Sequence, residues 1–139
     1  MRKAIVSGAN GFVGSAVVKE LISQGYEVYA LVRENHYDQV PINEMVRIVP
    51  FSLENIEALG EVIPINEYEA FYHFAWNGSA GVDRADTALQ LKNAQWTVEC
   101  LQMAKRLGCK RFVPAGSIME HETIAAVYTQ GNRPGAGYI

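Results

Sequence analysis

The chain has 139 residues, 49% of them hydrophobic and 19% charged, with 12 Lys plus Arg against 15 Asp plus Glu and a net charge of -3. Those values describe one soluble globular domain and exclude disordered and fibrous classes. No positive excess exists to neutralise phosphates, which excludes a dedicated nucleic-acid binder, and the apolar stretches are strand-sized, too short to span a membrane. Residues 3–7 read as a short buried strand closed by Gly8. Residues 12–24 switch to helical spacing, with Val13, Val17 and Leu21 in one stripe and Ala16 and Val18 beside it. Gly25 stops that helix. Residues 27–33 read as a second strand, and the polar stretch 34–44, with Pro41, reads as a loop. Residues 46–51 form a third strand and 55–62 a short helix. Residues 69–76 form a fourth strand, ended by the glycine-rich stretch 77–81.

Residues 85–107 are the longest helix candidate. Leu91, Ala94, Val98, Leu101 and Ala104 lie on one face, and Trp96, Cys100, Met103 and Leu107 on an adjoining one. An apolar stripe this wide predicts a helix packed on a sheet. Gly108 ends it, and residues 110–115 read as a fifth strand. Beyond Ser117, residues 122–128 are a helix candidate and 131–137 read as loop. This divides the chain into a nucleotide-binding domain, 1–117, and a loop-rich tail, 118–139.

Strands alternating with helices imply a parallel sheet with right-handed crossovers and both faces covered. The expected architecture is α/β, a doubly wound Rossmann-type sheet of order 3-2-1-4-5. Its ligand crevice falls at the carboxyl ends of strands one and four, where the order reverses.

Gly8-Ala9-Asn10-Gly11-Phe12-Val13-Gly14 sits between the first strand and the first helix. A dinucleotide pyrophosphate needs a tight turn, then bare backbone, then a helix N-terminus aimed at it. Gly8 can supply the turn, Gly11 removes an obstructing side chain, and Gly14 lets the helix pack close to the sheet. The spacing is G-x-x-G-x-x-G, and there is no Lys-Ser or Lys-Thr after it, which excludes a mononucleotide P-loop. NAD sites place an acid at the end of strand two, for the ribose hydroxyls. Val32 stands there instead, with Arg33 next. A guanidinium can grip a 2′-phosphate in bidentate fashion, so NADP is favoured; Glu34 leaves NAD open.

The two cysteines, Cys100 and Cys109, are 9 apart without metal-ligand spacing, and no histidine has a partner at such spacing. No metal site is expected. Both thiols read as reduced packing residues, which points to the cytoplasm, and residues 1–8 do not make a secretory leader. His73, in an apolar strand, reads as a packed histidine rather than a general base. Trp76 either stacks on a ligand at the crevice or packs under the adjoining loop.

These residues resemble the extended short-chain dehydrogenase/reductase family of nucleotide-sugar epimerases, dehydratases and 4-ketoreductases. The glycine loop resembles that family's G-x-x-G-[FY]-[IV]-G, which implies cofactor contacts at Asn10, Phe12 and Val13 as well as the glycines. Phe51-Ser52-Leu53 resembles the segment that touches adenine, with Ser52 in place of Asp. His73-Phe74-Ala75-Trp76 resembles the His-x-Ala-Ala that lines the nicotinamide side, with Trp76 in place of Ala. Asn93 followed by Thr97 resembles the Asn-x-x-Gly-Thr of the long helix. Residues 111–117 resemble strand five, with Ala115 beside the cofactor and Ser117 as the catalytic serine.

The resemblance implies hydride transfer between nicotinamide and a sugar carbon. A Tyr acts as acid/base, and a Lys four residues on lowers its pKa from about 10. Tyr138, 21 residues after Ser117, stands at the tyrosine's station, but no Tyr-x-x-x-Lys occurs in the sequence. Tyr128 is followed at plus four by Asn132. The expectation is therefore the NADP-binding portion of a nucleotide-sugar enzyme, truncated at its active-site tyrosine and inactive alone. Its substrate would be a nucleotide sugar, met in the full-length enzyme, with neither nucleic acid nor membrane as partner. An uncovered fifth strand would favour homo-oligomers. The alternative is a catalytically incomplete NADP-binding sensor or regulatory module, distinguished by whether the reading frame continues past Ile139. A methyltransferase reading lacks both the G-x-G-x-G loop and the acidic end of strand two.

Overall fold

The computed structural model describes residues 1–117 and Ala125. Apart from Ala125, the expected tail 118–139 lies outside the described residues, and with it the helix candidate 122–128, Tyr128 and Tyr138. In chain order the elements are β1 (Lys3–Ser7), α1 (Phe12–Ser23), β2 (Glu27–Val32) and β3 (Val46–Pro50). A 3-10 helix (Leu53–Ala58) then leads into α2 (Leu59–Val62), β4 (Ala70–His73), a 3-10 turn (Gly81–Ala85), α3 (Thr87–Leu107) and β5 (Phe112–Pro114). The strands form one parallel sheet of order β3-β2-β1-β4-β5, the expected doubly wound arrangement.

Alternate strand residues feed two cores. Ile5, Tyr29, Leu31 and Phe71 face the side covered by α3, meeting Cys100, Met103, Ala104 and Leu107. Ala4, Val6, Val28, Ala30 and Val32 face α1, meeting Val18 and Leu21. Side chains alternate with period two, so covering both faces buries β1 and β2 almost continuously, and this is why they read as apolar runs, whereas β3 and β5 at the sheet's two edges stay largely exposed.

Several expectations are corrected at the helices. The buried stripe of α1 is Gly14, Val18 and Leu21. Val13 is 54% exposed, Ala16 is exposed and Val17 is only partly buried. Gly14 takes the inward place because the helix lies directly on the glycine turn; a methyl there would collide with the Gly8 carbonyl oxygen. On α3, the adjoining face is the buried one. Leu91 is 67% exposed, and Ala94, Val98 and Leu101 also face outward. The expected helix 55–62 is a 3-10 helix kinked at Asn55, followed by a single turn of α-helix. Ser52 accepts the Glu54 N–H at 3.2 Å and starts the 3-10 segment early.

β4 ends at His73, not at residue 76. The Phe74 N–H is shared between the Ser7 carbonyl at 3.2 Å and the Ser7 hydroxyl at 3.1 Å, and the same hydroxyl takes the Ala75 N–H at 3.2 Å, which turns the chain away from β1. α3 begins at Thr87 because Asp86 caps it, its carboxylate accepting the Leu89 N–H at 3.1 Å. Gly108 ends α3 as expected, with φ of 97°. Cys100 and Cys109 are free thiols, and burial pushes them up to about 12 and about 11. Among the described residues no cluster could hold a metal ion, and no helix is long and apolar enough to cross a membrane.

Candidate functional site

A cleft of about 980 Å³ opens at the carboxyl ends of the strands, where the order reverses. Its walls come from four chain segments: the glycine turn after β1, the end of β2, residues 50–62 after β3, and residues 74–79 after β4. Of the expected residues, Gly8, Asn10, Gly11, Arg33, Ser52, Leu53, Phe74, Ala75 and Trp76 line this one cleft. Sequence reasoning missed the apolar wall formed by Ala58, Leu59 and Val62. A helix reading that began at Asn55 gave no reason to turn those residues toward a ligand.

The glycine turn is as tight as a phosphate cradle requires. Gly8 has φ of +65°, and a Cβ there would sit 2.7 Å from the Phe74 carbonyl carbon. At Gly11 a Cβ would meet the Gly8 carbonyl oxygen at 3.3 Å. Gly11 caps α1 with extended backbone and no side-chain bond, so no side chain satisfies the first-turn N–H groups. A helix N-terminus of this kind attracts an anion. A nicotinamide dinucleotide fits these residues on that ground: the backbone approach is bare, and the helix end aims at it. The cleft volume also falls within the range of about 300–1,000 Å³ usual for ligand pockets.

Phe12 and Val13 occupy the first turn of α1, both exposed. The Asn10 side chain is turned toward the loop after β2. It donates to Asp38 at 3.0 Å and accepts the Gln39 N–H at 2.6 Å. The hydrogen bond from Asn10 helps hold the Asp38 carboxyl below its usual range. Asn93, 1% exposed on α3, clasps Asn77 on both backbone groups. It therefore bears on the cleft through that loop. The Ala115 N–H donates to the His73 carbonyl at 3.1 Å, and Ser117 lies exposed just beyond.

Directly before the cleft-lining residues Gly8 and Phe74, Ser7 and His73 face each other in register across β1 and β4. Ser7 Oγ lies 2.7 Å from His73 Nδ1. Both hydroxyl lone pairs already accept the Phe74 and Ala75 N–H groups. The hydroxyl proton therefore goes to Nδ1, leaving a neutral imidazole protonated on Nε2. His73 is 3% exposed, and burial depresses its pKa to about 4. It sits as a packed, hydrogen-bonded histidine that fixes the bend after β4. One signal was present in the sequence: Ser7 is a polar residue directly after the apolar run Ala4, Ile5 and Val6 of β1.

Arg33 reaches Asn77, with Nη2 donating to Oδ1 at 2.7 Å. Trp76 is 43% exposed at the cleft lip, its Nε1 donating to Gln90 at 2.9 Å. Gln90 in turn donates to the Gly78 and Asp83 carbonyls, tying residues 76–83 to α3.

Residues 4–134 match the family model described as "NAD dependent epimerase/dehydratase family". The chain is 29% identical over 119 residues to a dTDP-6-deoxy-L-talose 4-dehydrogenase (NAD(+)) of Aggregatibacter actinomycetemcomitans, covering 84% of this chain and 42% of that one. Among solved structures, an epimerase of Methanothermobacter thermautotrophicus superposes with TM-score 0.72 at 24% identity, covering 85% of this chain and 36% of that one. A short-chain dehydrogenase/reductase superfamily protein from Agrobacterium tumefaciens, solved with bound NAD, matches at TM-score 0.62 and 30% identity, covering 85% and 33%. The chain thus spans 42% or less of the length of each of these relatives.

Proposed function

Because the chain belongs to the NAD dependent epimerase/dehydratase family, we propose that its cleft binds a nicotinamide dinucleotide, NADP in preference to NAD. It forms the cofactor-binding portion of an enzyme that moves hydride between nicotinamide and a carbon of a nucleotide-linked sugar. The observation that carries the reading is the glycine turn. Gly8 and Gly11 make a turn so tight that a Cβ at either would meet backbone, and α1 starts from it with no side-chain cap, which leaves its first N–H groups to an anion. The preference for NADP rests on Val32, which ends β2 without a carboxylate, and on Arg33, which puts a cation directly after it. The choice of substrate class rests on the talose dehydrogenase relative, whose name specifies a dTDP-linked sugar.

When bound, the nicotinamide supplies the hydride chemistry. The chain's own residues bind and orient it. The turn and the α1 terminus hold the pyrophosphate, the wall from Leu53 to Val62 takes the adenine, and Phe74, Ala75 and Trp76 flank the nicotinamide end. Ser117 would hydrogen-bond the reacting sugar oxygen, and Tyr138 stands at the acid/base station.

Calorimetric titration with NADPH and with NADH tests this. Tighter binding of NADPH supports the reading. Tighter NADH overturns the choice of NADP, and binding of neither overturns the cofactor site.

A further inference from the structure

We propose that Asn77 sets the cofactor preference of the cleft by positioning Arg33, an inference that rests on the NADP reading above. β1 lies between β2 and β4 in the sheet. Arg33 comes directly after β2 and Asn77 lies beyond β4, so their 2.7 Å hydrogen bond carries the guanidinium across the carboxyl end of β1. Both residues line the cleft. The cation is therefore held within the cleft rather than left over the end of β2.

The anchor is itself fixed. The Asn77 N–H donates to Asn93 Oδ1 at 3.0 Å, and Asn93 Nδ2 donates to the Asn77 carbonyl at 2.7 Å. Asn93 is buried on α3, so the loop carrying Asn77 is clasped at this residue's backbone and its side chain is left to meet Arg33. A long side chain that would otherwise sample many rotamers is thus pre-ordered at the cleft.

The chemistry of the anchor matters as much as its place. An amide oxygen occupies one guanidinium N–H and contributes no charge. A carboxylate at this position would pair with Arg33 and cancel the positive field that a phosphate needs. Among the described residues Arg33 takes part in no ion pair. Its charge and its remaining donors stay available to a ribose 2′-phosphate, the group that separates NADP from NAD. Asn77 is thus a positioning residue acting through Arg33.

Two probes that differ only in that group test the proposal: adenosine 2′,5′-bisphosphate and 5′-AMP, each titrated by calorimetry. The wild-type chain should bind the bisphosphate more tightly. In Asn77→Asp the ratio of the two affinities should fall about tenfold, the bisphosphate losing more than 5′-AMP. Asn77→Ala should lower the ratio less, since the anchor is lost but the charge is not cancelled. In an Arg33→Leu background, Asn77→Asp should change the ratio no further, the signature of a residue acting through Arg33.

If Arg33→Leu abolishes the preference but neither Asn77 variant moves it, the role of Asn77 is overturned and the NADP reading stands. Equal loss of both probes in the Asn77 variants would mark a merely structural residue and overturn the proposal. No preference in the wild-type chain would overturn the NADP reading and this inference with it. Thermal melts of each variant confirm that the comparison is among folded chains.

Discussion

At Gly8 the demands of the backbone and of the proposed cofactor coincide. Its φ of +65° costs any L side chain roughly 1–2 kcal/mol. A methyl would also lie 2.7 Å from the Phe74 carbonyl carbon, which cannot swing aside like the end of a flexible side chain. Gly8→Ala should therefore lower the denaturation midpoint and remove NADPH binding together; wild-type binding in this variant would refute the turn as cradle. His73 gives a pH prediction from the same region. Its ordinary value is 6.5, and burial lowers it to about 4 in the fold. Above pH about 6.5 the imidazole is neutral in both states, and stability is complete. As pH falls from there toward about 4, the unfolded chain takes up a proton that the folded chain does not, and stability falls. The loss is on the order of 3 kcal/mol and levels off below the folded value. Proton NMR titration of the His73 ring gives the direct check, and a midpoint above 6 would refute it. The salt-bridged carboxyls of Glu27 and Glu69, held low chiefly by Lys3 and Lys110, add their own losses at more acid pH.

At the scale of elements, α3 shows what its caps contribute and what its pattern hid. Asp86 supplies its side-chain cap, so Asp86→Ala should cost about 1 kcal/mol in urea denaturation with little change in slope. An unchanged midpoint would mean that the first turn of α3 contributes nothing to the fold. The strand order and the starts of the first three strands were legible, because buried parallel strands are short apolar runs bounded by glycine or polar loops. Helix faces were not. α1 carries Val13, Ala16, Val17 and Val18 nearly all round, so hydrophobicity alone could not choose the inward side. The choice is made by Gly14, whose lack of a side chain lets the helix settle on the turn. On α3 the outward residues Leu91, Val98 and Leu101 are as apolar as the inward ones. The turning of β4 after His73 was equally hidden, since it depends on a hydroxyl 68 residues earlier taking the Ala75 N–H.

For the whole molecule, the cleft is where chain segments remote in sequence come together. The glycine turn, the Ser52 segment, Arg33 and residues 74–77 come from four different strand ends. That is why the glycine motif was legible as a local pattern while the wall from Ala58 to Val62 and the bond between Arg33 and Asn77 were not. A ligand gripping all four segments couples the two halves of the sheet on either side of β1. Binding to the folded chain alone stabilises by about 2.7 kcal/mol at 100 times Kd, enough to raise the melting temperature by about 10 °C in a domain of this size. Saturating NADPH should thus raise Tm more than equimolar NADH, because the tighter ligand lies further above its Kd. Amide exchange should slow most at residues 8–12, 52–55 and 74–77, which are far apart in sequence and adjacent only around the cleft. Protection limited to the glycine turn would mean that the phosphates bind there while the rest of the cleft stays open, and the coupling across the sheet would be wrong.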